Sequence, residues 1–141
     1  MTEFDAANNE ITREQVLNAF NHLVYVINQV NAGEWAEHYS KDGFLSAFAS
    51  TEYFASRDEW VTAITDYFSA RDRQQVTPEW VEITPLAPDL ALLTSREKTE
   101  MRLKSGPACS SLHVFTLIWK KESGGWKIIH SHESWTNEKL S

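Results

Sequence analysis

The sequence has little of what marks several common protein classes. It contains one cysteine among 141 residues, Cys109, so no disulfide can form within the chain, which favours a reducing, cytoplasmic location. Lys and Arg number 13 against 20 Asp and Glu, and the net charge of −7 disfavours nucleic-acid binding. No stretch approaches the roughly 18 apolar residues that cross a membrane, and residues 1–10 lack the basic start and apolar run of a signal peptide. We therefore expect a globular cytoplasmic protein that binds neither nucleic acid nor membranes.

The chain has the length and composition of one compact domain. No repeat, low-complexity tract or interior linker interrupts it. We expect residues 1–141 to form this domain, with residues 1–10 loose and residues 137–141 as a tail. Aromatic side chains are abundant, with six Trp, seven Phe and four Tyr. This much aromatic area predicts a sizeable core or a lined cavity.

Charge is unevenly distributed along the chain. Residues 1–89 carry five basic and fifteen acidic side chains, whereas residues 90–127 carry seven basic and three acidic ones. The acidic part has helical character and the basic part has strand character. Solvated surfaces of opposite sign explain this pattern, and an anionic ligand or partner over the basic part is the alternative.

Apolar residues at helical spacing predict three helices in the first half of the chain. A capping-box sequence at Thr12 opens the first helix, which ends near Gly33, a residue suited to a left-handed cap. One or two further turns follow at residues 34–39. A second capping box at Ser56 opens a helix that extends to about Arg71.

The second half of the chain has strand composition. Two short strands, at residues 44–48 and 53–54, precede the last helix, and four long strands follow it at residues 76–86, 91–104, 109–121 and 126–135. A tight turn at residues 123–125 joins the last two strands. Helices followed by a hairpin-connected meander are typical of an α+β domain, and strands this long usually bend around bulges. We therefore expect a curved sheet wrapped on the helices.

Four short motifs follow one another between residues 12 and 136. They are Asn-Ala-Gly-Glu-Trp at residues 31–35 with Tyr39 and Asp42 after it, Arg-Asp-Glu-Trp at 57–60, the hairpin at 119–128, and Ile-His-Ser-His-Glu-Ser at 129–134. In this order and spacing they resemble the SnoaL-like group of the nuclear transport factor 2-like superfamily. Ser56 stands where the family commonly has glycine, a departure that concerns only the turn before the third helix.

The resemblance implies a cone-shaped α+β fold, in which a curved antiparallel sheet wraps over three N-terminal helices and leaves a deep pocket. It also implies a homodimer formed through the outer face of the sheet. Family functions include isomerases, cyclases, dehydratases and modules that only bind or assemble. The fold therefore does not determine the function.

Side-chain alternation along the last predicted strand groups the candidates for the pocket wall. Trp126, Ile128, His130, His132 and Ser134 share one face of this strand. The resemblance implies that this face looks into the pocket. A bulge in the strand would reverse the assignment.

His132, His113 and Glu97 are the predicted catalytic residues. A histidine titrates near neutrality and can move protons at working pH, and a carboxylate beside it orients the ring and raises its basicity. Such a set suits proton abstraction next to a carbonyl group, or loss of water. Two alternatives stay open: the histidines are structural residues bonded within the sheet, and Glu97 lies on a solvated strand.

The predicted ligand-binding residues are aromatic or imidazole side chains, namely Tyr39, Trp60, Phe115, Trp119, Trp126 and His130. His130 and His132 lie two apart on one strand face, so a metal pair is an alternative. No spacing motif supplies a third ligand. We therefore predict neither a metal nor another cofactor.

Two enzyme branches of the superfamily can be compared with these residues. The ketosteroid-isomerase branch has a general-base Asp on the first strand, where residues 46–48 of this chain are Ser, Ala and Phe. Its usual mechanism is therefore disfavoured. The dehydratase branch uses a histidine pair with Tyr and Asp, which is closer in residue type to His113, His132 and Tyr39.

These observations lead to three functional hypotheses. We expect a homodimer whose pocket binds a small, partly apolar molecule. The first alternative is a cofactor-free lyase or isomerase that uses His132 as general acid and base. The second is an assembly module without catalysis, similar to the association domain of calcium/calmodulin-dependent kinases, whose outer sheet face would bury Leu112, Val114, Ile118 and Ile129.

Overall fold

A computed structural model describes residues 6–139, with side chains described up to residue 136. Residues 1–5 belong to the stretch predicted to be loose, and residues 140–141 belong to the predicted tail. Both of these segments lie outside the described residues.

Three helices supply one layer of the fold: α1 (Ala6–Asn28), α2 (Ala32–Ala36) and α3 (Arg57–Ser69). Residues 6–10 are helical rather than loose, so α1 begins earlier than predicted. Thr12 is buried inside α1 and does not cap it. The capping-box sequence at Thr12 therefore does not mark the start of α1, because the helix already extends through it.

The end of α1 also differs from the prediction. The Val30 amide donates a hydrogen bond to the Ile27 carbonyl at 2.9 Å. The Asn31 amide donates to the Val26 carbonyl at 3.1 Å, which completes the hydrogen-bond pattern of a Schellman motif. Val30 therefore holds the left-handed position, with φ 53°, that was expected for Gly33. A β-branched residue thus bears the strained backbone at this turn.

The start of α3 confirms the predicted cap. The Ser56 side chain accepts a hydrogen bond from the Glu59 amide at 3.2 Å, which satisfies one of the unpaired N–H groups of the first turn. The helix ends at Ser69, two residues before the predicted end at Arg71. Its buried apolar face consists of Trp60, Ile64 and Phe68.

The second layer is one curved, unclosed sheet of six strands. The strands are β1 (Ser46–Ala49), β2 (Glu52–Phe54), β3 (Arg71–Ala87), β4 (Leu90–Leu103), β5 (Ala108–Glu122) and β6 (Gly125–Lys139). They lie in the order β2-β1-β6-β5-β4-β3. The four long strands form the predicted antiparallel meander, whereas β1 runs parallel to β6.

Two of the long strands extend several residues beyond their predicted bounds. β3 begins at Arg71, immediately after α3, rather than at Val76. β6 continues through residues 137–139, so these residues pair with β5 and are not part of a separate tail. The longer β3 brings polar residues 71–75 onto the sheet.

A β-bulge in β6 changes which side chains face the helices. Ile118 of β5 pairs with His130, but the next residue, Trp119, pairs with Ile128, so Ile129 is the extra residue. Both Ile128 and Ile129 are buried. Because successive side chains alternate between faces, one extra residue reverses the assignment for the rest of the strand.

The hydrophobic core lies between the helices and one face of the sheet. Its largest fully buried side chains include Trp60, Trp119 and Phe20. Within residues 6–139, no helix combines the length and apolar character needed to cross a lipid bilayer.

Candidate functional site

A cavity of about 270 Å³ lies between the helices and the sheet. The helices contribute apolar and aromatic side chains to its wall, namely Ile27, Trp35, Trp60, Ile64, Tyr67 and Phe68. Across from them, the strands contribute Met101, Leu103, Phe115 and Trp135. This volume lies just under the roughly 300–1,000 Å³ of typical ligand pockets, so the mainly apolar wall suits only a small and partly apolar molecule.

A small set of polar side chains interrupts this apolar wall. The set comprises Arg71, Gln74, Thr99, Ser111, His113 and Glu133. Strand register brings several of them together. His113 pairs with Glu97 of β4 on one side and with Trp135 of β6 on the other. Glu133 is the next residue of β6 on the same face as Trp135 and pairs with Phe115. The cavity wall therefore contains an imidazole, His113, a carboxyl group, Glu133, and a guanidinium group, Arg71.

The imidazole of His113 is held in a largely apolar setting. It stacks on the Trp135 indole, with ring centroids 5.4 Å apart. Its Nδ1 lies 3.2 Å from the Ser111 hydroxyl oxygen. Burial, together with the positive charge of Arg71, lowers the pKa of His113 to about 4. The ring is therefore neutral at physiological pH.

The Glu133 carboxyl group has the opposite shift. Burial raises its pKa to about 7, and the charge of Glu97 adds to this effect while Arg71 opposes it. Glu133 therefore exchanges a proton close to neutral pH. This is the range in which a general acid or base is most effective.

Arg71 is the cation of the cavity. Its Nη1 donates a hydrogen bond of 2.6 Å to Oε1 of Gln74. Gln74 in turn donates to the Ile27 carbonyl of α1 at 2.7 Å. The guanidinium carbon lies 5.7 Å from the centre of the Tyr67 ring, and burial lowers the pKa of Arg71.

Glu97 lies beside His113 on β4 but is not part of the cavity wall. Its side chain is fully buried, and neither carboxyl oxygen has a hydrogen-bond partner among the residues whose side chains are described. Burial raises its pKa to about 7, and the charge of Glu79 adds to this shift. The alternative of a solvated strand position is therefore wrong, since Glu97 faces inward, while the predicted catalytic role is not supported by a side chain outside the cavity wall.

The structure places His130 and His132 on the outer face of the sheet, and the orientation predicted for them is wrong. His132 is exposed and its ring lies 5.4 Å from the Phe48 ring. His130 is half-buried, with Nδ1 3.0 Å from the Ser46 hydroxyl oxygen. The β-bulge at Ile129 is the cause, because it turns both imidazoles away from the cavity.

The other residues predicted to bind a ligand divide into two groups. Trp60 and Phe115 line the cavity. Tyr39, Trp119 and Trp126 are buried in the core and are not part of the cavity wall. Trp126 is fixed there by a hydrogen bond of 2.9 Å from its indole nitrogen to Gln15. Burial and the neighbouring Glu133 raise the pKa of Tyr39, so this phenol stays protonated.

Sequence reasoning missed Arg71 and Glu133. For Glu133 a signal exists, because the adjacent apolar pair Ile128 and Ile129 interrupts strict alternation and is the mark of a bulge. For Arg71 no signal exists, since the polar stretch before Val76 is compatible with a loop. Among the described residues, no group of three or more His, Cys, Asp or Glu side chains is arranged to hold a metal ion.

A second depression lies beside the cavity and shares Gln74 and Met101 with it. It measures about 510 Å³, and the cross-strand neighbours Arg73 and Arg102 are on its wall. The depression is more open and more polar than the cavity. The aromatic cavity is the better candidate site, because small-molecule sites are mostly enclosed and apolar with a few convergent polar groups.

Solved structures share this fold at low sequence identity. A candidate scytalone dehydratase from Novosphingobium aromaticivorans DSM 12444 has a TM-score of 0.85 and 13% identity, covering 97% of this chain and 93% of that chain. The hexachlorocyclohexane dehydrochlorinase LinA-type3 from Novosphingobium barchaimii LL02 has a TM-score of 0.80 and 8% identity, covering 97% and 95%. A candidate calcium/calmodulin dependent protein kinase II association domain from Xanthomonas campestris has a TM-score of 0.75 and 22% identity, covering 96% and 97%.

Comparison of the sequence with family models and with curated proteins identifies one family. No protein of curated function matches the sequence. The family model of the SnoaL-like domain matches residues 16–138, which is most of the chain. The solved structures agree with this match in fold, with helices packed on a curved sheet. The protein belongs to the SnoaL-like domain family and has the nuclear transport factor 2-like fold.

Proposed function

We propose that the protein is a cofactor-free lyase or isomerase that binds a small, partly apolar molecule in the aromatic cavity. The observation that carries this proposal is the position of Glu133, a carboxyl group in an apolar cavity wall with a pKa of about 7. A group with this pKa exchanges protons readily at neutral pH. Two structures with the same fold are named as a dehydratase and a dehydrochlorinase, and both names denote eliminations.

Glu133 performs the proton transfer in this proposal. Its carboxylate removes a proton from the carbon next to a substrate carbonyl, and the electrons of that C–H bond form the enolate. In an isomerisation the protonated Glu133 returns the proton to a different carbon. In a dehydration it gives the proton to the departing β-hydroxyl group as the C–O bond breaks, so that an alkene and water are formed. Glu133 ends each cycle ionised, as it began.

His113 stabilises the enolate oxygen. Its pKa of about 4 keeps the ring neutral at physiological pH. With Nδ1 accepting from the Ser111 hydroxyl group, Nε2 carries the hydrogen and donates it to the substrate oxygen. A neutral imidazole donor of this kind polarises a carbonyl group without itself losing a proton. The role assigned to His132 from the sequence passes to Glu133, because His132 lies outside the cavity.

Proton exchange with solvent tests this proposal even while the substrate is unidentified. A panel of cyclic ketones and β-hydroxyketones, each with and without a carboxylate substituent, is incubated with the protein in heavy water, and deuterium incorporation and loss of water are followed by NMR. We expect exchange or elimination with at least one member. Glu133→Gln should lower that rate by about a hundredfold or more, and His113→Asn should lower it as well.

His132→Asn separates the structural assignment from the one based on sequence alternation. If His132→Asn reacts at the same rate as the wild-type protein, the result supports Glu133 as the base and the reversal of faces at the bulge. A loss of rate in His132→Asn, with Glu133→Gln unaffected, would show that the proposed assignment is wrong. No exchange or elimination by the wild-type protein with any member of the panel would contradict the reaction class.

Assembly into homodimers through the outer sheet face is a second proposal. Leu112 and Val114 of β5 are 44% and 47% exposed in the single chain, which supports an interface there. Ile118 is half-buried, and Ile129 is buried within the chain itself, so Ile129 is not available to a partner. The fold is also that of the candidate association domain from Xanthomonas campestris.

A further inference from the structure

The guanidinium group of Arg71 is the only cationic group in the described part of the cavity wall. A guanidinium group has five N–H donors. Only the hydrogen bond from Nη1 to Gln74 is formed among the residues whose side chains are described. Most of its donors therefore have no partner among these residues.

The position of this group is nevertheless fixed. Gln74 is buried, and its amide joins the Arg71 side chain to the Ile27 carbonyl of α1. The Tyr67 ring packs against the guanidinium group at 5.7 Å. Because Gln74 and Tyr67 restrict the side chain, little conformational entropy remains to be lost when a ligand binds.

Among the side chains that the structure describes, the positive charge of Arg71 has no ion-pair partner. No carboxylate among the described residues lies within 4.0 Å of the guanidinium nitrogens, although Arg71 and Glu133 influence each other electrostatically. A half-buried charge without a counter-ion is unfavourable, and a charge-assisted contact relieves this. The cavity is thus electrostatically incomplete in the absence of a ligand.

We infer that Arg71 anchors a carboxylate group of the ligand, and that the substrate class is a small carboxylic acid with an apolar ring or chain. The planar guanidinium fork matches a carboxylate in two parallel hydrogen bonds. The aromatic wall takes the apolar body of the ligand and leaves its reacting carbon near Glu133 and His113. This inference rests on the proposed function, because it names the substrates of that same cavity.

Matched pairs of probes isolate the charge preference. Benzoate with benzamide, and 2-naphthoate with 2-naphthamide, have nearly the same shape within each pair but differ in charge. Their dissociation constants are measured by calorimetry at about pH 6, where both carboxylates remain ionised and Glu133 is mostly protonated. We expect the wild-type protein to bind at least one carboxylate about tenfold to a hundredfold more tightly than its amide, the range for a charge-assisted hydrogen bond.

Three variants identify the source of that preference. Arg71→Gln should abolish it while leaving binding of the amide within about threefold of wild type. Arg71→Lys keeps the charge and should retain part of the preference, which covers the case in which Arg71→Gln fails to fold. Arg96→Gln removes the same charge from an exposed side chain that pairs with Glu79, and it should leave the preference unchanged.

Equal binding of carboxylate and amide by the wild-type protein would overturn the carboxylate anchor and leave the proposed reaction class standing. A preference that persists in Arg71→Gln would also overturn it. Absence of binding by all four probes would overturn both the anchor and the use of this cavity on which the proposed function depends. If Glu133→Gln reacted at the same rate as the wild-type protein, by contrast, only the proposed function would be contradicted.

Discussion

The imidazole of His113 stacks on the indole of Trp135 across the β5–β6 pair, with ring centroids 5.4 Å apart and an interplanar angle of 25°. Trp135 thereby covers one face of the ring and contributes to the apolar surroundings that keep His113 neutral. The stack also determines the direction in which the ring nitrogens point. Changes at Trp135 should therefore be detected at His113.

Trp135→Leu should raise the pKa of His113 from about 4 toward its ordinary value near 6.5. Burial is the main cause of the low pKa, and the smaller side chain admits water to the ring face. NMR titration of the histidine rings measures the shift. Trp80→Leu is the matched control, because Trp80 is 49% exposed and should leave the titration unchanged. A His113 pKa that stays near 4 in Trp135→Leu would show that the stack is not what excludes water.

The rate of the proposed reaction should rise with pH through an inflection near 7 and level off above it. The reason is that Glu133 must be ionised to remove the proton, and its pKa is raised to about 7. The measurement is kcat/KM against pH, with the most reactive member of the ketone panel. A rate that falls as the pH rises through 7 would mean that the protonated carboxyl group, and not the carboxylate, acts first.

Glu97→Gln should make the protein more stable in mildly alkaline solution. The folded-state pKa of Glu97 is raised to about 7 from an unfolded value near 4.5, so the folded protein binds the proton more tightly. Its contribution to stability is therefore full below about pH 4.5 and is lost as the pH rises through 7. The substitution should raise the free energy of unfolding at pH 8 by up to about 3 kcal/mol.

Chemical denaturation of wild type and Glu97→Gln between pH 4.5 and 8 measures this effect. The difference between the two proteins should grow with pH and reach its maximum above 7. His113 acts in the opposite direction, because its lowered pKa contributes stability that is lost as the pH falls from 6.5 to 4. Since His113 is present in both proteins, this contribution cancels. A difference that does not depend on pH would show that Glu97 is not protonated in the folded state.

Trp126→Ala should lower the free energy of unfolding by about 3 kcal/mol or more. The ring is buried, and its indole nitrogen bonds Gln15 of α1, so the substitution leaves a cavity and an unpaired amide oxygen. Denaturant titration measures the loss. The exposed Trp80 serves as the comparison, and Trp80→Ala should change stability by less than about 1 kcal/mol. Equal losses in the two variants would contradict the burial of Trp126.

Val114→Glu should convert a homodimer into a monomer. Val114 is exposed on the outer face of the sheet, and a charge at a buried interface is strongly unfavourable. Light scattering coupled to size-exclusion chromatography gives the mass. Leu17→Glu, at an exposed position of α1, is the control and should leave the mass unchanged. A monomeric wild-type protein would rule out this interface.

Most of the fold could be predicted from local signals in the sequence. The Ser56 cap, the hairpin that ends at Gly125 and the four long strands all depend on neighbouring residues. The start of α1 and its turn at Val30 could not be predicted, since Thr12 and Gly33 each gave a local signal that the surrounding packing overrides. The parallel pairing of β1 with β6 is a long-range contact and has no local signal.

The candidate site was predicted only in part, and the reason lies at Ile129. His113, Phe115 and Trp60 lie where alternation and helical spacing place them, because no register shift separates β4 from β5. In β6 the register shifts before the chain reaches the cavity. Alternation counted from Trp126 therefore assigned His132 to the interior in place of Glu133.

The extra residue at Ile129 also has a consequence for how sequences of this family diverge. The bulge takes up one residue that the partner strand does not match, so deleting Ile129 would leave His130 opposite Ile118 and Glu133 opposite Phe115. Loss of the bulge at unchanged length would instead turn the two imidazoles inward in place of the carboxyl and indole groups. Relatives of equal length are therefore expected to differ in chemistry when only one of them has the bulge, even where their aligned letters agree.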